Sequence, residues 1–414
     1  MAEKGQLLSF GGNRFPPLPD PSVTAPDGFV AGATSAGIKE GTSRLDLAIV
    51  KSEFPCVTHA VFTRSRFVGA TVTISRDRVR SGKQQAIVVN SGNANAATGQ
   101  EGLAAATAMA ETAAHHVGLE PDLMLVASTG VIGVPLPIER VQQAIPRIRL
   151  RSDGGHDAAR AIMTTDTQPK ESARAAEIGG ASVVVAGMAK GSGMIHPNMA
   201  TLLAFVTTDA SLDHEVARAA LKRATDASFN QVSVDRDTSP DDTLVLFANG
   251  AAGGSPIHAG TSEARSFAAL LTEVCVDLAR MIARDGEGAT RLIEVDVAGA
   301  RSPASARRLA REVVASNLVK SAIYGRDPNW GRILSALGNA GVDFDPTAVE
   351  IFVGDYQVAR HGAFFPFDWA AVAGAMGREE VVIRVGLSEG TATGSAWGCD
   401  LTEDYVKINA EYTT

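Results

Sequence analysis

Short runs of apolar, largely β-branched residues recur along the chain, and they predict strands. The runs are AIVVN at 86–90, LMLVAS at 123–128, SVVVAG at 182–187, TLVLFA at 243–248, LIEVDV at 292–297, VEIFVG at 349–354 and EVVIRV at 380–385. In the LIEVDV run the apolar side chains alternate with Glu294 and Asp296, which predicts a half-buried strand.

Apolar residues at three- and four-residue spacing predict helices between some of these strands. Residues 262–284 show this spacing, and Gly286 is placed to end the helix. Residues 103–117 are rich in alanine and predict a second helix, and Ser302 followed by proline predicts the start of a third. Strands and helices mix without strict alternation. We therefore expect an α/β protein of layered sheets, in an α+β arrangement, instead of a doubly wound parallel sheet.

Composition excludes several classes of protein. The 414 residues include 45% apolar residues, which excludes a disordered chain. Lys and Arg number 38 against 46 Asp and Glu, and this acidic balance argues against nucleic-acid binding. Three cysteines without a CxxC pair argue against a disulfide framework. No apolar run reaches the length of a membrane helix and the first residues lack a signal peptide's apolar run, so we expect a cytoplasmic protein that contacts no membrane.

The most unusual stretch is KGSGMIHPNMATLLAF, which begins at Lys190. One interpretation is a loop whose glycines allow a tight turn, with Thr201 opening a buried apolar segment. A second is a phosphate cradle, although the lysine precedes the glycines and the GxxxxGK[ST] order is absent. A third is a junction that cleaves itself between Ala200 and Thr201. The hydroxyl of Thr201 would then be a nucleophile, and its new α-amino group, with a reference pKa of about 7.7–8.0, would be the base.

Two further stretches could carry chemistry. In STGVIG at 128–133 a hydroxyl and a glycine amide lie side by side and can donate two hydrogen bonds to one oxyanion, although a strand-end turn has the same composition. The acidic stretch 235–243 invites a calcium interpretation. That interpretation fails because Pro240 stands at the glycine position and Leu246 at the closing glutamate, so we expect an acidic structural loop. The histidines form no HExxH pair, and we predict no metal.

With these segments the chain resembles the ornithine acetyltransferase family, the glutamate N-acetyltransferases of arginine biosynthesis. The similarity covers nearly the whole chain and includes VTAPDGF, VNSGNANAATG, STGVIG, TTDT, AKGSGMIHPNMATLLAF, SFNQVSVDRDTSPDDT, RDGEGATRLIEV, YGRDPNWGRI and AWGCDLTEDYVKINAEYTT. The chain departs from the family pattern at Ala97, Arg236 and His196, none of which is a proposed nucleophile or oxyanion residue.

The resemblance implies roles for individual residues. It implies cleavage between Ala200 and Thr201, which gives an alpha chain of residues 1–200 and a beta chain of residues 201–414 that begins with the nucleophile Thr201. It assigns the oxyanion hole to the Thr129 hydroxyl and the Gly130 amide. It assigns substrate contacts to Thr164, Lys190, Thr201, Glu287, Asn409 and Thr414. By charge, Lys190 suits a carboxylate and Glu287 suits the ammonium of ornithine.

The resemblance also implies a fold and a reaction. The fold is a sandwich similar to N-terminal-nucleophile hydrolases, in a tetramer of two alpha and two beta chains. The reaction moves acetyl from N2-acetylornithine to glutamate through acetyl-Thr201, without a cofactor, and acetyl-CoA stays open as a second donor. Two alternatives stay open: an autoprocessed aminopeptidase or amidohydrolase of related architecture, and a silent amino-acid-binding paralogue.

Overall fold

The computed structural model describes residues 14–39, 41, 43–196 and 202–411. Each of the seven apolar runs forms a strand, as the sequence pattern predicts. In chain order the strands are β1 (Phe29–Thr34), β2 (Leu47–Ser52), β3 (Val57–Phe62), β4 (Ala86–Asn93), β5 (Met124–Val131), β6 (Lys170–Ile178), β7 (Ala181–Lys190), β8 (Leu203–Thr208), β9 (Val232–Ser233), β10 (Thr243–Ala248), β11 (Leu292–Ala300), β12 (Glu350–Val353), β13 (Tyr356–Arg360), β14 (Ala363–Phe364), β15 (Glu380–Gly386) and β16 (Ala392–Cys399).

The predicted helices are also present. The helices are α1 (Ala70–Arg78), α2 (Gly99–Val117), α3 (Ile138–Ala144), α4 (Gly155–Ala161), α5 (His214–Ala227), α6 (Ser262–Arg284), α7 (Pro303–Ala315), α8 (Asn317–Gly325), α9 (Trp330–Gly338), α10 (Trp369–Met376) and α11 (Glu403–Glu411). Helix α2 ends at Gly118, which takes the left-handed conformation of a helix C-cap. Helix α7 begins at Ser302, whose hydroxyl accepts from the Ser305 amide.

The described residues form two compact units. The larger unit comprises residues 14–230 and 237–278, within the described ranges, and holds two sheets. One sheet has the order β1-β2-β4-β5, and the other has the order β3-β10-β8-β7-β6. Side chains of both sheets meet in one core, where Val50 and Ile87 share a cluster with Phe205 and Phe247. The outer face of the four-stranded sheet packs on α2 and α3. The expected layered sheets are therefore confirmed.

The smaller unit comprises residues 231–236 and 279–411. Its seven strands form one sheet in the order β14-β13-β12-β15-β11-β16-β9. Helices α7, α8 and α9 cover this sheet with a continuous apolar core. None of the helices within the described ranges combines the length and apolar character that crossing a membrane requires.

The LIEVDV run departs from the pattern expected of a half-buried strand. It forms β11, which lies between β15 and β16. Glu294 is half-buried, but Asp296 is only 5% exposed and accepts a 2.5 Å hydrogen bond from the Ser395 hydroxyl. Burial raises the pKa of Asp296 to about 6. The alternation of apolar and polar residues along one strand does not show which residues pack on its polar face, because those residues come from elsewhere in the chain.

Candidate active site

The STGVIG motif lies at the end of β5, against the end of β4. The two strands run parallel with Gly92 opposite Gly130, and the register shifts at Asn93. Gly130 has φ of +134°, and a Cβ atom there would lie 2.5 Å from the Asn93 nitrogen. Ordinary side chains do not fit this conformation or this space. Residues 128–131 belong to strand β5 and do not form a turn. The backbones of β4 and β5 approach so closely at Gly130 that only glycine fits there.

Buried polar groups form a hydrogen-bonded network at this end of β4 and β5. The Ser128 hydroxyl donates to Asn90 Oδ1 at 2.6 Å, and Asn90 Nδ2 donates to the Asn93 carbonyl at 2.8 Å. All three side chains are buried. A buried and satisfied polar network fixes one local arrangement because breaking any member leaves a polar group unpaired. Sequence reasoning quoted Asn90 and Asn93 within VNSGNANAATG and Ser128 within STGVIG, but assigned none of the three a role.

Lys190 lies at the end of β7 and reaches the same place. Its Nζ lies 3.3 Å from Thr129 Oγ1, and its side chain is buried. Two of the predicted residues, distant in sequence, are therefore brought together. Because the ammonium can only donate, Thr129 Oγ1 accepts, and its own O–H remains able to donate to a third atom. That is the hydrogen-bonding state an oxyanion donor needs.

Asp166 links Thr164 to the residue that follows Lys190. Its Oδ2 accepts from the Thr164 amide at 2.9 Å, and its Oδ1 accepts from the Gly191 amide at 2.8 Å and from Lys170 Nζ at 2.6 Å. Burial acts to raise the pKa of Asp166, but the charges of Lys170 and Lys190 outweigh it and hold that pKa well below its usual range. Sequence reasoning missed Asp166 and Lys170. The aspartate within TTDT was the available signal.

The acidic stretch 235–243 is buried at its C-terminal end. Asp241 and Asp242 are 4% and 1% exposed, and burial raises the pKa of both carboxyls well above the usual range. One oxygen of each carboxyl has no hydrogen-bond partner in the described part of the chain. The charge of Lys190 acts to lower the pKa of Asp241, but burial has the larger effect. Two acids of the expected structural loop are therefore core residues beside the Lys190 cluster.

The smaller unit brings together two other predicted residues. Asn409 Nδ2, on α11, donates to Glu287 Oε2 at 2.8 Å, and the Glu287 side chain is buried. Next to it, Gly288 has φ of +69°, and a Cβ there would lie 2.5 Å from the Tyr405 nitrogen. Glu287 is therefore no exposed turn carboxylate, and it keeps the capacity to accept from an ammonium.

The remaining predicted positions are not described. Thr201, Ala200 and Thr414 lie outside the described residues, so their assigned roles stay predictions. Two of the departures from the family pattern lie in left-handed backbone. Arg236 has φ of +71° and Ala97 has φ of +58°, so each adopts the left-handed backbone that glycine favours.

Comparison with known proteins gives a consistent result. The model of the ArgJ family matches residues 30–414. The arginine biosynthesis bifunctional protein ArgJ of Symbiobacterium thermophilum is 52% identical over 395 residues, which cover 95% of this chain and 98% of that protein. The protein of the same name from Dehalococcoides mccartyi is 49% identical over 399 residues, covering 96% and 98%.

Two solved structures are also similar. The arginine biosynthesis bifunctional protein ArgJ of Bacillus halodurans is 42% identical and covers 50% of this chain and 98% of its own, with a TM-score of 0.49. The ornithine acetyltransferase of Mycobacterium tuberculosis, complexed with ornithine, is 37% identical and covers 45% and 99%, with a TM-score of 0.42. The family match spans most of the chain, and it confirms the resemblance carried by the motifs. The chain belongs to the ArgJ family.

Proposed function

We propose that the protein transfers the acetyl group of N2-acetylornithine to glutamate through an ester on Thr201, releasing ornithine and N-acetylglutamate. As a member of the ArgJ family it is an acyltransferase of arginine biosynthesis. The observation that carries the proposal is the 3.3 Å contact between Lys190 Nζ and Thr129 Oγ1, beside the Gly130 amide. A cation for a carboxylate and two donors for an oxyanion are the groups that acyl transfer between amino acids requires.

The first half-reaction forms the ester. The Thr201 hydroxyl oxygen attacks the acetyl carbonyl carbon, and the free α-amino group of Thr201 takes the hydroxyl proton. The Thr129 hydroxyl and the Gly130 amide donate to the oxyanion. The carbon–nitrogen bond then breaks, and the ornithine nitrogen leaves with the proton. Each oxyanion donor of this kind contributes roughly 10²–10³ in kcat.

The second half-reaction reverses these steps with another amine. The amino group of glutamate attacks the acetyl-Thr201 ester, the same donors hold the oxyanion, and Thr201 leaves as N-acetylglutamate forms. Lys190 binds the α-carboxylate shared by both substrates, because its ammonium donates to anions. Glu287 binds the side-chain ammonium of ornithine, and its carboxylate already accepts from Asn409. Thr164 and Thr414 supply further hydrogen bonds.

Thr129→Val tests the oxyanion assignment. The substitution removes one hydroxyl from a half-buried side chain, so we expect kcat to fall roughly 10²–10³-fold with little change in Tm. Ornithine release from N2-acetylornithine and glutamate measures the rate. The matched control is Thr107→Val on α2, a half-buried threonine whose hydroxyl donates to the Leu103 carbonyl of its own helix. Equal kcat for the two variants would remove Thr129 from the mechanism.

The lifetime of the acetyl-enzyme distinguishes this activity from the alternatives. An acetyltransferase keeps its ester until glutamate arrives, so loss of acetyl-Thr201 should depend on the glutamate concentration. Rapid loss in water alone would favour an amidohydrolase. A silent binding protein would have a higher Tm with ornithine than without it, and it would form no ester.

We also propose acetyl-CoA as a second acetyl donor, bound as a substrate, with no cofactor. The word bifunctional in the names of the relatives supports this proposal. Formation of N-acetylglutamate from glutamate and acetyl-CoA alone would establish it, and its absence at saturating acetyl-CoA would refute it.

We propose a tetramer of two alpha and two beta chains in the cytoplasm. Pairing of β7 with β8, with Lys190 opposite Leu203, supports continued association, because one sheet contains strands from both sides of the cut. The native mass of the purified protein tests the tetramer.

A further inference from the structure

We propose that Thr402 is a positioning residue for the recognition of ornithine, because its hydroxyl joins the loop that carries Glu287 to the helix that carries Asn409. The proposal rests on the proposed function, in which Glu287 binds the side-chain ammonium of ornithine. Thr402 is not among the catalytic or substrate-binding positions that the family resemblance assigns. It acts through Glu287 and does not itself touch the substrate.

Thr402 lies between strand β16 and helix α11, and its side chain is buried. Its hydroxyl donates to the Gly288 carbonyl at 2.7 Å and accepts from the Tyr405 amide at 3.3 Å. The Tyr405 amide belongs to the first turn of α11, whose N–H groups have no partner inside the helix. Thr402 is therefore the N-cap of α11, and the same oxygen atom contacts the loop 286–291.

Two other contacts fix the ends of this loop. At one end the Asp400 carboxylate accepts from the Thr290 amide at 2.8 Å and from the Arg291 amide at 2.9 Å. At the other end a Cβ on Gly286 would lie 2.7 Å from Cys399 Sγ, so the backbone lies directly against that side chain. The middle of the loop carries the site carboxylate, and its contact with the threonine hydroxyl sets its position between these ends.

The direction of α11 depends on its cap. None of the nine residues of this helix, all within the described ranges, is buried, and Val406 is 64% exposed. Helices gain most of their stability from packing an apolar face, so a helix without a buried face depends more on its ends. Asn409 follows Thr402 by seven residues, about 10 Å along the axis, so a tilt of about 10° moves Asn409 by about 2 Å. Such a shift breaks the 2.8 Å hydrogen bond from Asn409 to Glu287.

Capping alone does not account for both hydrogen bonds of this hydroxyl. An N-cap needs only an acceptor, and the oxygen of an aspartate or asparagine serves as well as that of a threonine. The Thr402 hydroxyl also donates, to the Gly288 carbonyl, which an ionised aspartate cannot do. The donated hydrogen bond links the start of α11 to the residue next to Glu287, and this link is what we expect substrate binding to require.

Thr402→Val and Thr402→Ser test the hydroxyl. Valine keeps the shape of the buried side chain and removes both hydrogen bonds, whereas serine keeps both. We expect Thr402→Val to raise the KM for N2-acetylornithine and the Kd of ornithine about tenfold, which is about 1.4 kcal/mol of binding free energy. The KM for glutamate, which has no side-chain ammonium, should change little, and Thr402→Ser should behave as the wild type. Formation of N-acetylglutamate gives the KM values, and calorimetric titration gives the Kd.

A matched control is the cap of another helix in the same unit. The Ser302 hydroxyl caps α7 by accepting from the Ser305 amide at 3.1 Å. Ser302 follows the C-terminal end of β11, whereas the loop 286–291 precedes the N-terminal end of that strand. Ser302→Ala therefore removes a helix cap without a change to the loop. We expect it to lower Tm and to leave both KM values and the Kd of ornithine unchanged.

The same substitution in a Glu287→Gln protein tests whether Thr402 acts through Glu287. The effects of two residues that act through one another are not additive, so Thr402→Val should raise the KM for N2-acetylornithine by less than about twofold in that background. A further tenfold increase there would overturn the proposal, because Thr402 would then act by another route.

The remaining outcomes separate this proposal from the proposed function. A folded Thr402→Val protein with the wild-type KM for N2-acetylornithine and the wild-type Kd of ornithine would overturn the proposal. If valine prevents folding, Thr402→Cys decides, because a thiol donates only weakly; a wild-type Kd of ornithine in that variant would equally overturn it. If Glu287→Gln itself leaves the KM for N2-acetylornithine unchanged, the proposed role of Glu287 is refuted instead.

Discussion

Replacing Gly130 with alanine perturbs the backbone where β4 and β5 come closest. The added Cβ would lie 2.5 Å from the Asn93 nitrogen and closer still to the Gly92 carbonyl carbon, against 3.4–4 Å for ordinary contact. Both neighbours are backbone atoms, so the strands must separate by about 1 Å, and overpacking of this kind costs about 1–3 kcal/mol. The φ of +134° adds about 1–3 kcal/mol of strain for any residue other than glycine.

The displacement should lower the rate as well as the stability. If the Gly130 amide donates to the oxyanion, moving it out of range costs roughly 10²–10³ in kcat. We expect that loss in the Gly130→Ala variant, together with a lower free energy of unfolding, measured by ornithine release and by urea titration.

Gly133→Ala is the control for strain alone. Gly133 has φ of +80°, and no heavy atom lies within 4 Å of a Cβ placed there. We expect it to lose about 1–2 kcal/mol of stability from its left-handed backbone and to keep its kcat. A folded Gly130→Ala protein with wild-type kcat would refute the assignment of the Gly130 amide.

Three further predictions concern other parts of the molecule. The pKa of Asp296 is raised to about 6, so the folded chain binds more protons than the unfolded chain, and stability falls as pH rises from about 4 to about 6. Asp296→Asn should therefore be more stable than the wild type by about 1–3 kcal/mol at pH 8 and equal to it at pH 3.5 in urea titrations; lower stability at pH 8 would contradict this. Glu287→Gln should raise the KM for N2-acetylornithine about tenfold and that for glutamate far less, since only ornithine presents the ammonium; equal increases would remove the assignment. Burial raises the pKa of Cys56 to about 12 and also raises the thiol pKa values of Cys275 and Cys399, so a thiol reagent should label the native protein at pH 8 far more slowly than the unfolded chain.

The local pattern of apolar and polar residues was sufficient to predict helices and strands of the fold. The helix at 262–284 and the strand at 243–248 have the bounds that their apolar spacing and β-branched runs indicate. Periodicity is a local signal, because each element must present apolar side chains to whatever covers it. The order of strands in the three sheets had no such signal, since pairing depends on residues far apart in the chain.

The candidate site likewise contains residues that could be identified from the sequence and residues that could not. Thr129, Gly130 and Lys190 were identifiable through the resemblance of their segments to the family, and the structure adds that Lys190 reaches Thr129. The partners of Asp166 and the burial of Asp242 were not identifiable, because an aspartate in a polar stretch has the same local pattern whether it is solvated or buried. Lys320 is the extreme case. It is fully buried and donates to the carbonyls of Ser233 and Cys399, and nothing in its neighbourhood along the sequence indicates this.

The intact mass of the purified protein under denaturing conditions tests the central claim most directly. The account predicts two chains for the wild type, the second beginning with Thr201, and one uncut, inactive chain for Thr201→Ala. A single full-length wild-type mass would mean that the Thr201 amino group is never freed and could not act as the base. A Thr201→Ala protein that is cut and active would equally contradict the assignment of Thr201 as the nucleophile.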